Sequence, residues 1–394
     1  MLDITIVLYS TLTVPAIYGG AVETLLENFI EENERSQRFK ITLIAHKVEN
    51  VKETAESRHY RYTEFRYISW PTIIIRANSV LINKSQMEFI PDIWDNLLIR
   101  EIKRAGNRKV IIEGSSRFVL KLKKRLPEKE IYYHLHADIK PFQNKEELKL
   151  YNSIKKISVS NYIKDCQTKA GVDVSNVFTV VNGIETDRFE LERINFTREQ
   201  ICRKFDLDKN KRYILFKGRL VREKGILELI RAFKGLDDGD TVLLICGAKN
   251  FGEKRKRLSD YEKQIFDEIK GSSNIITTGH VRYEDIPLLH KIAEICVVPS
   301  IWQEPCGLVV IEALVSGVPL VCSTTGGSTQ LCGNTGAVMI DVNDKYIDSL
   351  CDAMKELLDD DAKRDKISSS EIAKREYFEV KRYFDDMADI IINH

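Results

Sequence analysis

The sequence predicts an α/β protein of two domains, each built around a parallel sheet. The chain has 394 residues, which is too many for one ordinary hydrophobic core and suits two domains of roughly 150–200 residues each. Short apolar runs rich in Val and Ile alternate with longer segments of helical periodicity. Apolar runs without polar alternation are typical of strands buried on both faces, and intervening helices make the sheets parallel.

The predicted strands form two series along the chain. The first series comprises residues 4–8, 41–45, 110–113, 131–134, 157–160 and 177–181. The second comprises residues 213–217, 242–246, 275–278, 295–299 and 319–322. Two such series in one chain indicate two α/β domains.

The domain boundary is predicted at Asn182-Gly183, a turn dipeptide that directly follows the first series. Residues 1–182 then form an N-terminal domain and residues 183–375 a C-terminal domain. Residues 376–394 carry aromatic and aliphatic side chains at helical spacing. This spacing predicts an amphipathic C-terminal helix that packs back toward the N-terminal domain.

Composition and charge argue against several classes of protein. A net charge of +1 makes nucleic acid a poor prediction for a partner. No apolar stretch reaches the ~18 residues of a membrane-spanning helix. The N-terminus enters a strand-like segment without a basic leader, so we expect a cytoplasmic protein. The eight cysteines form no C-x-x-C pair, which favours buried thiols over a metal or disulfide framework.

The charge is unevenly distributed, because the first half of the chain is mildly basic and the second half mildly acidic. A basic first half suits peripheral contact with an anionic membrane face, or an anionic acceptor, and an ordinary solvated surface is the alternative. Residues 59–78 mix aromatic and basic side chains around Trp70-Pro71. That segment fits either a loop that faces a membrane or acceptor, or a buried β-ribbon.

Two segments of the first domain place candidate binding residues where predicted strands end, which is where α/β folds bind ligands. Gly19 and Gly20 follow the first strand and precede a helix, so a ligand can approach the backbone and an anion can meet free N–H groups. A plain turn is the alternative. His134 and His136 end a later strand. Either histidine can hydrogen-bond a sugar at neutral pH or have a structural role.

A basic loop follows the first strand of the second domain. Gly218, Arg219 and Lys224 lie between that strand and a predicted helix that starts at Gly225. Two cations that converge on a helix N-terminus suit a diphosphate. The alternative interpretation is a surface loop that happens to be basic.

A pair of glutamates flanks another predicted helix. Glu304 and Glu312 are eight residues apart, and the helix starts near Gly307 between them. Both carboxylates can face one side, while the N–H groups of Gly307, Leu308 and Val309 stay free for phosphate. An idle carboxylate inside an apolar helix is costly, which favours a functional role.

These motifs make the chain resemble the retaining glycosyltransferases of family 4. Such enzymes have the GT-B fold, in which two Rossmann-like domains with parallel sheets face an interdomain cleft. The resemblance spans essentially the whole length. It rests on Gly218-Arg219-Leu220, Glu223-Lys224-Gly225 and the E-x7-E pair, and the segments 18–23 and 134–138 resemble bacterial surface-polysaccharide and spore-coat-type members.

The resemblance implies a role for each group around the donor. Arg219 and Lys224 neutralise the donor diphosphate, helped by Gly218, by the N–H groups of residues 307–309, and by Gly19-Gly20 on the acceptor side. Glu312 binds the ribose hydroxyls, and Glu304 binds the hydroxyls of the donor sugar.

The remaining implied roles concern the base and the scissile bond. The backbone near Val281 and Arg282 meets the base. His136 is the family histidine near the scissile bond, with His134 as its rival.

The resemblance also implies catalysis without a metal ion or a separate cofactor. No Asp-x-Asp motif of the metal-using kind is present. Cations and helix dipoles placed in advance stabilise the charge on the departing diphosphate, whose oxygen takes the acceptor proton. Domain closure around the donor excludes water.

Two departures from the family pattern bear on the donor. Cys306 replaces the usual aromatic residue, and Gln330 replaces a carboxylate, which puts that donor contact in doubt. UDP- or dTDP-sugars, including dTDP-rhamnose, are favoured over GDP-mannose. The expected acceptor is a lipid-linked saccharide for capsule or another surface polysaccharide. The alternatives are a catalytically inactive GT-B scaffold and a nucleotide-sugar epimerase.

Overall fold

The structure, a computed structural model, describes residues 1–69, 91–139, 141–142, 144–236, 238–247 and 258–394. The chain divides into two compact units. Unit 1 consists of Met1–Val181 with Tyr383–His394, and unit 2 is Asn182–Arg382. Within the described ranges, no helix combines the length and apolar character that a membrane crossing requires.

Unit 1 is built around a seven-stranded parallel sheet. Its strands are β1 (Leu2–Leu8), β2 (Phe39–His46), β3 (Thr63–Ile68), β4 (Lys109–Glu113), β5 (Glu130–Leu135), β6 (Lys155–Ser158) and β7 (Val177–Thr179). They lie in the order β3-β2-β1-β4-β5-β6-β7, and every pair is parallel. The described helices that precede β7 are α1 (Ala21–Ser36), α2 (Val51–Ser57), α3 (Pro91–Ala105), α4 (Ser116–Arg125), α5 (Lys145–Asn152) and α6 (Asn161–Lys169).

Unit 2 is built around a six-stranded parallel sheet. Its strands are β8 (Arg212–Lys217), β9 (Thr241–Cys246), β10 (Ile275–Gly279), β11 (Ile295–Val298), β12 (Leu320–Ser323) and β13 (Val338–Ile340). They lie in the order β10-β9-β8-β11-β12-β13. The helices here are α7 (Arg198–Phe205), α8 (Ile226–Lys234), α9 (Asp260–Ile269), α10 (Ile286–Ile292), α11 (Leu308–Ser316), α12 (Ser328–Cys332), α13 (Tyr346–Asp359) and α14 (Asp361–Ile372).

Each sheet has one point where the strand order reverses direction. In unit 1 this switch lies between β1 and β4, and in unit 2 it lies between β8 and β11. The loops that leave two such strands run to opposite sides of the sheet, which opens a crevice at their carboxyl ends. The two switch points are therefore the places where ligand-binding residues are expected.

The last helix, α15 (Val380–Asn393), completes the core of unit 1. Phe384 packs against Phe29, with ring centroids 4.8 Å apart. The helix begins at Val380 because the residues before it pair with Ile184 instead of continuing the helix. The Phe378 carbonyl accepts from the Ile184 N–H, and the Val380 N–H donates to the Ile184 carbonyl. This bridge ends a short 3-10 turn, Arg375–Phe378, where the sequence predicts a continuous helix from residue 376.

The two strands that the apolar pattern does not predict, β3 and β13, both lie at sheet edges. Their side chains are mostly half-exposed, so neither forms a continuous apolar run. Strand β3 falls within the segment 59–78, and it pairs in parallel with β2. Residues 70–78 of that segment, including Trp70-Pro71, lie outside the described residues.

Candidate active site

The basic loop after β8 is held against the loop after β11. Gly225 has φ +65°, and a Cβ added there would lie 1.8 Å from the Pro299 carbonyl oxygen. The Ile301 N–H donates to the Glu223 carbonyl at 3.0 Å. Only glycine allows this approach, and the approach brings Lys224 next to the residues that follow β11.

Lys224 and Glu304 form an ion pair at this junction. The Lys224 Nζ lies 2.6 Å from Glu304 Oε2. The same oxygen accepts from Ser300 Oγ at 3.3 Å and from Trp302 Nε1 at 3.2 Å. Because three donors converge on one oxygen, the Glu304 carboxylate is fixed in place before any ligand binds.

Two glycines also hold the main chain of Glu304. The Gly327 N–H donates to the Glu304 carbonyl at 2.6 Å, and the Gly326 N–H donates to Gln303 Oε1 at 2.7 Å. Gly326 has φ +54°, and a Cβ there would lie 2.3 Å from the Glu304 carbonyl oxygen. Gln330, which departs from the family pattern, is a half-buried residue of α12 just beyond this turn.

Arg219 is an exposed cation of the basic loop. In the part of the chain that the structure describes, its guanidinium pairs with no carboxylate. It lies two residues after β8, on the same loop as Lys224. A guanidinium without an internal partner is available to clamp two oxygens of a phosphate group.

Helix α11 places both the free N–H groups and Glu312. Val310 and Ile311 both donate to the Gly307 carbonyl, so they form the first turn, and no side chain caps Gly307. Leu308 and Val309 precede these bonds, and the first N–H groups of a helix have no intrahelical acceptor. Glu312 lies one turn further and is only 1% exposed.

Glu312 forms an ion pair with Lys217, the last residue of β8. The Lys217 Nζ also lies 5.6 Å from the centroid of the Tyr283 ring. Tyr283 comes directly after Val281 and Arg282, the segment predicted to meet the base. Arg282 is exposed, and its guanidinium pairs with Asp285 at 3.2 Å.

Cys306 is buried between Glu304 and α11. Burial raises the pKa of its thiol to about 12. The thiol is therefore protonated at neutral pH and behaves as a small apolar group.

In unit 1, a carboxylate already lies over the N-terminus of α1. Gly20 has φ +115°, and a Cβ there would lie 2.1 Å from Glu23 Oε2. Glu23 Oε1 accepts from Ser10 Oγ at 2.7 Å, while burial raises the pKa of this carboxyl group. The Gly19-Gly20 turn makes room for Glu23, so a phosphate at this helix end has to share it with that side chain.

Glu113, at the end of β4, joins the two histidines of β5. His136 Nε2 lies 2.6 Å from Glu113 Oε2, and His134 Nδ1 lies 3.1 Å from Glu113 Oε1. Burial alone raises the pKa of Glu113, but the charge of His134 and the hydrogen bonds of both histidines outweigh burial and hold the pKa at about 2. The ionised carboxylate therefore accepts from both rings.

The two histidines differ in access. His134 is fully buried, with its Nε2 unpartnered among the described residues, whereas the His136 side chain is 16% exposed. Burial, and then the neighbouring His134, lower the pKa of His136. A neutral His136 that donates from Nε2 keeps Nδ1 as an acceptor, so His136 is the better placed of the two to meet a ligand.

The Glu113–His134–His136 cluster also has the composition of a metal site. One ligand atom from each residue lies within 4.8 Å of the others, and two histidines with a carboxylate suit Zn²⁺ or Fe²⁺. The hydrogen bonds to Glu113 already account for the arrangement. Metal independence of the enzyme therefore stays a prediction from the sequence.

The structure thus gathers five predicted features of unit 2 around the β8–β11 switch: Arg219, Lys224, Glu304, residues 307–309 and Glu312. Gly19, Gly20 and His136 lie in unit 1, on the β1 and β5 loops. Four residues that contact the predicted site residues were not predicted from the sequence, namely Lys217, Trp302, Glu23 and Glu113. A buried strand that ends in a charged residue was the available signal for both Lys217 and Glu113.

Comparison with known families identifies the unit 2 segment. The family described as Glycosyl transferases group 1 matches residues 197–374. This segment is therefore similar to a group 1 glycosyltransferase domain. The basic loop, Glu304 and Glu312 all lie inside the matched segment.

Two curated relatives extend the likeness beyond that domain. An uncharacterized glycosyltransferase of Methanocaldococcus jannaschii is 30% identical over 264 residues, which cover 65% of this chain and 63% of that protein. Spore coat protein SA of Bacillus subtilis is 23% identical over 381 residues, which cover 93% of this chain and 92% of that protein. The chain therefore spans less than two thirds of the first relative and nearly all of the second.

A solved structure shows the fold of this chain. Anabaena HepE in complex with UDP-glucose aligns over 100% of both chains, with a TM-score of 0.78 and 17% identity. Together with the two parallel sheets, this likeness confirms the predicted GT-B fold of two α/β domains.

Proposed function

We propose that this protein is a retaining, metal-independent glycosyltransferase that moves a sugar from a nucleoside-diphosphate donor to a saccharide acceptor. One observation carries the proposal. Arg219, the Lys224–Glu304 pair and the N-terminus of α11 all lie on the segments that follow β8 and β11. Cations and oriented N–H groups that are in place beforehand stabilise charge on a departing diphosphate without a divalent ion.

In this proposal the diphosphate lies against Arg219, Gly218 and the N–H groups of residues 307–309. Arg219 has no partner to give up among the described residues, so it binds the diphosphate first. Lys224 is already paired with Glu304, so it links the diphosphate to the carboxylate that holds the donor sugar. Glu312 accepts from the ribose, and the backbone of Val281 and Arg282 meets the base.

In the chemical step one bond breaks, one bond forms and one proton is transferred. The bond between the sugar C1 and the β-phosphate oxygen breaks, and its electron pair stays on the phosphate. The acceptor oxygen bonds to C1 on the same face, which retains the configuration, and its proton passes to the leaving phosphate oxygen. His136, held by Glu113, hydrogen-bonds a reacting sugar, and Gly19-Gly20 helps to bind the diphosphate.

The substrate class is supported by the relatives. The HepE structure is a complex with UDP-glucose, which supports a UDP- or dTDP-sugar donor for this chain. Spore coat protein SA is named for a surface structure, which supports a role in making a surface polysaccharide or capsule. The acceptor in this proposal is a lipid-linked saccharide. Sugar transfer would then take place in the cytoplasm, and the protein would contact the inner membrane face peripherally. A catalytically inactive scaffold is disfavoured, because such a protein has no need to keep Arg219, Lys224 and Glu304 together.

A binding and transfer experiment tests the proposal. The purified chain is titrated with UDP, dTDP, GDP, ADP and NAD in EDTA, and the nucleotide that binds is then supplied as its sugar conjugates. We expect one nucleoside diphosphate to bind, NAD not to bind, and the anomeric configuration of the product by NMR to match that of the donor. Loss of transfer in EDTA with rescue by Mn²⁺, or an inverted product, contradicts the corresponding part of the proposal.

The membrane part has its own test. Co-sedimentation with liposomes that contain anionic lipid should fall when the aromatic and basic residues of segment 59–78 are replaced by serine. Unchanged co-sedimentation contradicts a membrane role for that segment.

A further inference from the structure

Lys217 occupies one oxygen of the glutamate that is expected to bind ribose. Its ammonium pairs with Glu312 Oε2. Glu312 is 1% exposed, so water cannot easily replace this contact. One carboxylate oxygen, Oε1, is then left for a ligand.

The position of the Lys217 ammonium is fixed by its surroundings. It lies 5.6 Å from the centroid of the Tyr283 ring, a distance at which the face of the ring attracts a cation. His290 lies near Lys217 in the interior of unit 2. Burial, and then the charge of Lys217, lower the pKa of His290 to about 3. His290 is therefore neutral at pH 7, and Lys217 balances the charge of Glu312.

This arrangement changes what a missing hydroxyl group costs. A site that uses both carboxylate oxygens to bind the 2′- and 3′-hydroxyls of ribose rejects a deoxyribose, because one buried oxygen is left unpaired. In this chain Lys217 pairs with Oε2 whether or not the 2′-hydroxyl is present. A deoxyribose then forfeits one hydrogen bond and leaves no buried charge without a partner.

We propose that Lys217 determines how strictly the nucleoside subsite requires the 2′-hydroxyl of ribose. The enzyme then accepts 2′-deoxyribonucleoside diphosphate donors as well as ribonucleoside diphosphate donors. This inference rests on the proposed function of Glu312 as the ribose ligand. Lys217 acts through Glu312 and is therefore a positioning residue.

The test uses nucleotides that differ by one hydroxyl group. Dissociation constants of UDP and dUDP, and of dTDP and its 2′-hydroxyl counterpart 5-methyl-UDP, are measured by calorimetry on the full chain. For the wild type we expect the deoxy compound of each pair to bind within about tenfold of its partner, since Lys217 already pairs with Glu312 Oε2 and no carboxylate oxygen is left unpaired. In Lys217→Met the ratio should rise by at least a further factor of about ten, because Glu312 Oε2 is then unpaired in the deoxy complex.

Matched variants separate this role from a structural one. Lys217→Arg keeps the cation and should keep the wild-type ratio. Glu312→Ala should weaken both members of a pair and bring their ratio close to one. Circular dichroism and melting curves establish that each variant is folded.

Each outcome decides between the proposals. A wild-type penalty above about 100-fold for the deoxy compound overturns the inference even if Lys217→Met does not fold. An unchanged ratio in a folded Lys217→Met overturns it as well, and in both cases the donor site stands. If no nucleoside diphosphate binds the wild type, the proposed function fails, and the inference fails with it.

Discussion

Replacing Gly225 with alanine tests whether the close approach of two loops builds the donor site. The substitution introduces two separate costs. A left-handed φ of +65° costs an L-residue roughly 1–2 kcal/mol. The new Cβ lies 1.8 Å from the Pro299 carbonyl oxygen, and relieving such a clash shifts the backbone at a cost of typically ~1–3 kcal/mol.

Two other glycines of unit 2 separate these costs. Gly271 has φ +82° and nothing within 4 Å of an added Cβ, so Gly271→Ala carries the conformational cost alone, about 1–2 kcal/mol. Gly239 has an ordinary φ and equally open surroundings, so Gly239→Ala should be neutral or slightly stabilising. Gly225→Ala should lose about 2–5 kcal/mol.

Differential scanning calorimetry measures the three variants beside the wild type, and calorimetric titration measures nucleotide affinity. For a domain of this size each kcal/mol lowers the melting temperature by about 2–4 °C. Gly225→Ala should also weaken nucleotide binding, because the retreating loop carries Arg219 and Lys224. A Gly225→Ala variant as stable as Gly271→Ala, with wild-type nucleotide affinity, refutes this account.

Three further predictions concern single side chains. Glu304→Ala should abolish sugar transfer while nucleotide affinity by titration stays nearly intact, and full turnover would contradict the site assignment. Arg219→Ala and Lys224→Ala should each weaken nucleotide binding and transfer by roughly tenfold or more, whereas an effect on transfer alone would place the diphosphate elsewhere. Glu113→Gln should lower the melting temperature at pH 7, because a folded-state pKa of about 2 against 4.5 is worth roughly 3 kcal/mol. That stability is present above pH 4.5 and is lost as the pH falls toward 2, so the gap between wild type and Glu113→Gln should narrow over this range. A gap that does not change with pH contradicts the assigned ion pair.

The central strands were predictable from sequence because they are buried on both faces. The runs at residues 4–8 and 242–246 are apolar at nearly every position, and both are confirmed as strands. The edge strand β3 was not predictable in the same way. It alternates polar and apolar residues, and only its pairing with β2 identifies it as part of the sheet.

The candidate site was predictable where motif and burial agreed, and less so where contacts are non-local. Glu304 and Glu312 could be predicted as site residues because burying a carboxylate in an apolar segment costs free energy unless it has a partner or a ligand. Glu113 and His134 are directly opposite in the β4–β5 register, but 21 residues separate them, so their pairing cannot be deduced before the strand order is known. The partner of Glu312, Lys217, lies 95 residues away. Glu23 over Gly20 depends on a side-chain rotamer that the pattern of glycines does not encode.

The indole of Trp302 has an optical consequence. Its Nε1–H donates to Glu304 Oε2, and the side chain is 40% exposed. The chain has three tryptophans, of which Trp94 is buried. A sugar that hydrogen-bonds to the Glu304 carboxylate competes with the indole for this oxygen, and a diphosphate on Lys224 changes the charge beside it. We therefore expect the intrinsic emission of the chain to report occupancy of the donor site without a label.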